Sequence, residues 1–144
     1  MKVNKFLLIY IYNAKIGFEN DRGEVIAYAR RHRKLHRLQE EFEMLDKKNL
    51  RSKTVKRQFG MHTTEPRKRQ GELYIRDWLN TVRHVNEDGS QVLNMHKIYD
   101  LALLQELIKF NHRGNFDRVM ALMIGMYHTR EMYNSEVREV LEDG

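Results

Sequence analysis

The chain has 144 residues, 41% of them hydrophobic and 32% charged, which suits one compact domain. That balance excludes both a membrane-embedded protein and a low-hydrophobicity disordered one. Lys and Arg outnumber Asp and Glu by 26 to 20, giving a formal charge of +6 and a pI near 9.6, so a polyanionic partner is favoured. No cysteine is present, which removes disulfides, thiolate metal sites and cysteine nucleophiles.

Lys2 and Lys5 precede an apolar run over residues 6–12, much as in a signal peptide. The run is too short to span a bilayer, and no small-residue cleavage site follows it. Its Leu, Ile and Tyr content predicts a buried strand, and the chain is read as soluble. Residues 14–19 continue the extended pattern and end in the polar cluster Glu19-Asn20-Asp21-Arg22-Gly23. Asn20 or Asp21 is expected to cap a helix starting near Arg22, with Glu24 in its first turn and Val25, Ile26 and Ala29 on its apolar face. Residues 35–45 read as a second helical piece or a short strand, with Leu38, Phe42 and Leu45 at helical spacing.

Residues 47–69 are strongly basic, with Glu65 their one acid and Phe59-Gly60-Met61 their one apolar knot. They read as a long surface loop with room for a short strand. Thr64 is placed to cap the next helix, with Pro66 in its first turn, and that helix runs to about Leu79. Residues 86–90 form a turn. Asp100 is placed to cap an apolar helix over residues 101–110, which His112-Arg113-Gly114-Asn115 ends. A final helix is expected over residues 116–132, with the acidic tail from Ser135 onward frayed. The domain thus spans residues 1–134, followed by a tail over residues 135–144.

Two acids stand where capping and solvation do not obviously need them: Glu19 closes an apolar strand, and Asp117 starts an apolar helix. Carboxylates from a strand end and a helix start can meet at a sheet edge and hold hard divalent cations, which take oxygen ligands. Two such ions about 4 Å apart polarise a phosphodiester and activate water. The plainer readings are a helix cap for Asp117 and a solvated side chain for Glu19. His32 and His36, four residues apart, have the spacing of a zinc pair, but cations surround them and no third ligand is near in sequence. His62 and His112 are candidates to sit near a phosphate. No phosphate-cradling G-x-x-x-x-G-K-[ST] loop and no G-x-S-x-G nucleophile elbow occurs. The basic stretch, interleaved with Phe59, His62, Thr63 and Thr64, suits a surface that tracks a nucleic-acid backbone.

Four blocks occur in order: residues 14–38 (AKIGFENDRGEVIAYARRHRKLHRL), Phe59-Gly60-Met61, residues 67–79 (RKRQGELYIRDWL) and residues 98–126 (IYDLALLQELIKFNHRGNFDRVMALMIGM). Together they make residues 12–127 resemble the C-terminal, nuclease part of the large terminase subunit of tailed bacteriophages. The resemblance implies an α/β, ribonuclease-H-like nuclease fold. It implies metal-dependent endonucleolytic cleavage of concatemeric viral DNA during genome packaging, with two Mg²⁺ or Mn²⁺ ions held by acids. The family's middle acid, at a strand end, maps onto Glu19 in Phe18-Glu19-Asn20-Asp21. Its last acid, opening a late helix, maps onto Asp117 in Phe116-Asp117-Arg118-Val119-Met120-Ala121-Leu122.

The family's first acid belongs on an earlier strand, yet residues 1–13 hold no Asp or Glu. The fold is therefore expected to be incomplete, with its opening strands missing, and the chain inactive alone. On this reading Glu19 and Asp117 are the catalytic metal ligands, while Arg51, Lys53, Lys56, Arg57, Lys68 and Arg69 track double-stranded DNA. The implied partners are an upstream terminase ATPase and nuclease segment, the portal and the small terminase subunit. The implied location is the cytoplasm of the infected bacterial host. The alternative is a non-catalytic, basic DNA-binding or packaging-assembly module, which needs no carboxylate pair.

Overall fold

The computed structural model describes residues 12–42 and 59–142. It is mixed α/β, and among the described residues it holds four α-helices and one two-stranded antiparallel sheet. The chain divides into two compact units, Met1–Thr63 with Glu131–Gly144, and Thr64–Arg130.

In the first unit, the extended stretch through Ile16, Phe18 and Asn20 takes two partners in succession. Ile16 N–H donates to the Arg37 carbonyl at 2.8 Å, and Gln39 N–H donates to the Ile16 carbonyl at 2.8 Å. Further on, Met61 N–H donates to the Phe18 carbonyl and Asn20 N–H to the Met61 carbonyl, both at 2.9 Å. Alternate residues of extended chain present their backbone groups to one side, so both partners occupy the same edge. The pairing stays at isolated bridges, Ile16 with Leu38, Glu19 with Met61 and Glu40 with Phe59. The strand expected over residues 6–12 falls outside the described residues except for Tyr12, which sits in a turn.

Helix α1 (Glu24–Arg31) covers this extended region. Its Ile26 and Ala29 join Phe18 and Leu38 in a buried cluster, with Ile16, Val25, Leu35 and Phe59 packed around it. Burying side chains of the size of Phe18, Ile26 or Leu38 contributes about 1.5–3 kcal/mol each. Glu24 lies in the first turn, and Arg30 and Arg31 in the last, where the helix dipole favours them. The cap differs from expectation: Gly23 is the N-cap, in the left-handed region at φ 73°, with no side-chain cap bond. Asn20 and Asp21 are committed elsewhere. The Asn20 amide donates to the Phe59 carbonyl at 2.9 Å, and Asp21 Oδ1 accepts from Thr63 N–H at 3.2 Å. Residues 35–42 turn out to be a 3₁₀ turn (Leu35–Arg37) followed by extended chain, with Leu38 and Phe42 buried.

Helix α2 (Glu65–Asn80) opens the second unit as the sequence predicts. Thr64 is the N-cap and accepts from Arg67 N–H at 3.4 Å, with Pro66 in the first turn. The helix therefore takes in Arg67, Lys68 and Arg69, which the sequence places in the basic loop. Ile75 is buried, while Leu73 lies 40% exposed. Strands β1 (Val82–Val85) and β2 (Gln91–Leu93) form a hairpin across the turn at residues 86–90, with an irregularity between Val82 and His84. A 3₁₀ turn (Asn94–Lys97) returns the chain to α2, where the Asn94 amide donates to the Trp78 carbonyl at 2.9 Å.

Asp100 caps helix α3 (Leu101–Lys109) by accepting from Ala102 and Leu103 N–H at 2.9 and 3.2 Å. No residue of α3 is fully buried, and Leu101 and Ile108 stand 67% and 85% exposed. Helix α4 (Asp117–Glu142) buries Val119, Met120, Met123, Ile124 and Tyr127. It continues to Glu142 through the segment expected to be frayed. No helix of the described residues is long and apolar enough to cross a membrane.

Candidate functional site

Glu19 owes its position to strand alternation. Ile16 and Phe18 face the core, so Glu19 points the other way and is exposed. Its backbone is fixed at the bridge to Met61, where the chain passes close beneath. Gly60 makes that passage possible: at φ +73°, a Cβ there would lie 2.8 Å from both the Phe18 ring and the Phe18 carbonyl. Beside it, Asp21 Oδ1 lies 3.3 Å from His62 Nδ1 as well as on Thr63 N–H. Glu19 itself makes no hydrogen bond or salt bridge with the described residues.

Asp117 is the first residue of α4, in the second unit. The orphan amides of that helix end are satisfied by a different acid. Glu106, from α3, accepts from Arg118 N–H at 2.9 Å and Val119 N–H at 3.3 Å through one oxygen. Its other oxygen takes the Arg118 guanidinium at 2.8 Å. The hydrogen bond from Arg118 holds the Glu106 carboxyl below its usual range, and the same bond raises the guanidinium. With Glu106 serving as the cap, the Asp117 carboxylate is exposed and makes no hydrogen bond or salt bridge with the described residues.

Glu19, on extended chain at an isolated bridge, and Asp117, at the start of α4, are both exposed carboxylates without a hydrogen bond or salt bridge to the described residues, but they belong to different units. Among the described residues no three His, Asp or Glu side chains group so as to hold a metal ion. The zinc spacing of His32 and His36 does not survive folding. His32 ends α1, Arg33 turns the chain at φ 54°, and His36 lies in the following 3₁₀ turn. Asp100 is a cap.

The two histidines singled out as phosphate neighbours both meet carboxylates. His62 faces Asp21, and His112 sits between two acids of α2, with Nε2 2.9 Å from Glu72 and Nδ1 3.5 Å from Glu65. Of the basic residues expected to track DNA, Lys68 and Arg69 lie in the first two turns of α2, with Arg69 exposed. Arg51, Lys53, Lys56 and Arg57 lie outside the described residues. Sequence reasoning missed Glu106 and the His112 clasp, because partners 12 and 40 residues apart leave no local spacing to read. The hairpin did carry a signal, Asp88-Gly89 between two Val-containing runs.

No family model, curated protein or solved structure matches this chain.

Proposed function

We propose that the chain is a partial nuclease of the large-terminase type, ribonuclease-H-like in plan, acting on double-stranded DNA. Glu19 and Asp117 are its contribution to a site for Mg²⁺ or Mn²⁺. The observation that supports this is the division of labour among the acids. Glu106 caps α4, and Asp21 holds Thr63 and faces His62. The two carboxylates that the ordered sequence blocks mark out are left exposed and uncommitted. Residues 1–13 hold no acid, so the carboxylate that the resemblance places on an earlier strand has no counterpart there, and two ions would need a further carboxylate beside Glu19 and Asp117. Metal-activated water would then hydrolyse the phosphodiester, while the basic stretch with Lys68 and Arg69 tracks the backbone.

The test joins DNA binding with cleavage. The purified chain should bind duplex DNA in a steeply salt-dependent way and cleave it little or not at all with Mg²⁺ or Mn²⁺. Added to a companion that carries the missing acid, it should gain cleavage that Glu19→Gln and Asp117→Asn each abolish without weakening DNA binding. Complemented cleavage indifferent to both substitutions, or no DNA binding at low salt, overturns the reading. DNA binding with no cleavage under any complementation favours the non-catalytic packaging module instead.

A further inference from the structure

Helices α2, α3 and α4, with Phe110 just beyond α3, line a half-open pocket of about 180 Å³ within the second unit. Ile75 and Leu79 from α2, Leu107 and Phe110 from the end of α3, and Val119 from α4 give it an apolar lining. Ile75 and Val119 are almost wholly buried, so the floor is built into the core rather than laid over the surface. A dry cavity of about 150 Å³ accepts a benzene ring, so this pocket has room for one aryl or branched-alkyl group.

Two charged residues, Glu72 and Arg76, complete the lining. They differ in commitment. Glu72 accepts from His112 Nε2 at 2.9 Å, on the loop that follows Phe110. Arg76 is exposed and has no side-chain hydrogen bond or ion pair with the described residues. The pocket thus carries Glu72, held by His112, and the unpaired Arg76 guanidinium one turn along α2, whose planar fork suits a carboxylate. A neutral apolar ligand would leave the Arg76 guanidinium unused, and a cationic one would find the Glu72 carboxylate already taken by His112.

We infer that this pocket binds a monocarboxylate bearing a single aryl or branched-alkyl group, the apolar group among Leu79, Leu107 and Phe110 and the carboxylate on Arg76. Two sources offer that chemistry, a free organic acid and the C-terminal residue of a peptide. In either case the apolar group supplies burial and the ion pair supplies discrimination. The pocket is built from residues of the second unit, none of them Glu19 or Asp117, and does not depend on the nuclease reading.

The experiment titrates the full chain with 3-phenylpropionate, 3-phenylpropionamide and the peptide Gly-Gly-Phe, following backbone amides by NMR. The acid is expected to bind with a Kd on the order of 0.1–1 mM, given its few heavy atoms. It should shift the amides of Ile75, Leu79, Phe110 and Val119, and the amide analogue should bind about ten-fold more weakly. Arg76→Gln, at an exposed helix position, should bring the two probes to equal affinity. Leu79→Phe, which fills the pocket, should remove both, with far-UV circular dichroism confirming an intact fold. Tighter binding of 3-phenylpropionate than of the peptide assigns a free organic acid, and the reverse assigns a peptide terminus. Equal affinity of acid and amide in the wild type, wild-type shifts surviving Leu79→Phe, or no binding of any probe at 10 mM overturns the inference.

Discussion

Glu106 illustrates how one carboxylate can hold two elements together. It closes the start of α4 from α3 through three hydrogen bonds, two to amides and one to the Arg118 guanidinium. Glu106→Gln keeps an acceptor but loses the charge that both the guanidinium and the helix end favour. The variant should melt at a lower temperature than the wild type at pH 7. The folded carboxyl sits below its unfolded value, so its contribution is complete above the unfolded pKa of about 4.3 and is lost as pH falls through the folded value. Urea unfolding at pH 7 and at pH 3 should therefore show the gap between the two proteins closing in acid.

Tyr127 behaves in the opposite sense. It is buried, and its hydroxyl donates to the Arg67 carbonyl of α2 at 2.8 Å. Burial pushes its ionisation from 10.0 up to about 12, so the folded state resists losing that proton. Stability should be unaffected by this group below pH 10 and should fall as pH rises from 10.0 toward 12. Tyr127→Phe should cost about 1 kcal/mol at neutral pH and remove that alkaline component, both readable from denaturant midpoints across the pH series.

At the scale of elements, the contact of α2 with α4 turns on Gly71. A Cβ at that position would overlap the Met123 side chain. Helix propensity alone favours alanine over glycine there by about 1 kcal/mol. Met123 is fully buried, however, so its thioether cannot swing into solvent, and overpacking costs about 1–3 kcal/mol. The packing term should win, and Gly71→Ala should lower the urea midpoint.

The same scale separates what the sequence discloses from what it hides. α2 and α3 announce themselves through Thr64, Pro66 and Asp100, because a cap acts on amides two or three residues away. The start of α1 misleads, because Asn20 and Asp21 have the chemistry of caps but are drawn to Phe59 and Thr63 about forty residues later. The hairpin strands, of 4 and 3 residues, are too short and too little buried to show apolar alternation, so the Asp88-Gly89 turn is their one local signal. The end of α4 hides for a related reason, since beyond Arg130 exposed apolar and acidic residues continue together and nothing in the pattern marks a stop.

Across the whole molecule, Asp117 opens a helix as the pattern predicts, whereas Glu19 lies on extended chain held by an isolated bridge rather than at the end of a strand, and any ion they share is a tertiary matter that spacing does not encode. With a net charge of +6 and Lys68 and Arg69 on α2, duplex DNA binding should weaken linearly in log K against log salt. Replacing both Lys68 and Arg69 by Gln should reduce that slope by about 2, roughly one per lost phosphate contact, with little dependence on DNA sequence. An unchanged slope would remove these two residues from the contact surface.

The reach of Glu106 also constrains the order of assembly. The first amides of α4 find their acceptor only once α3 has formed and come alongside, so the later helix begins with its end unsealed. Deuterium uptake at Arg118 and Val119 should then track the opening of α3, making two backbone protons into reporters of a helix to which neither belongs.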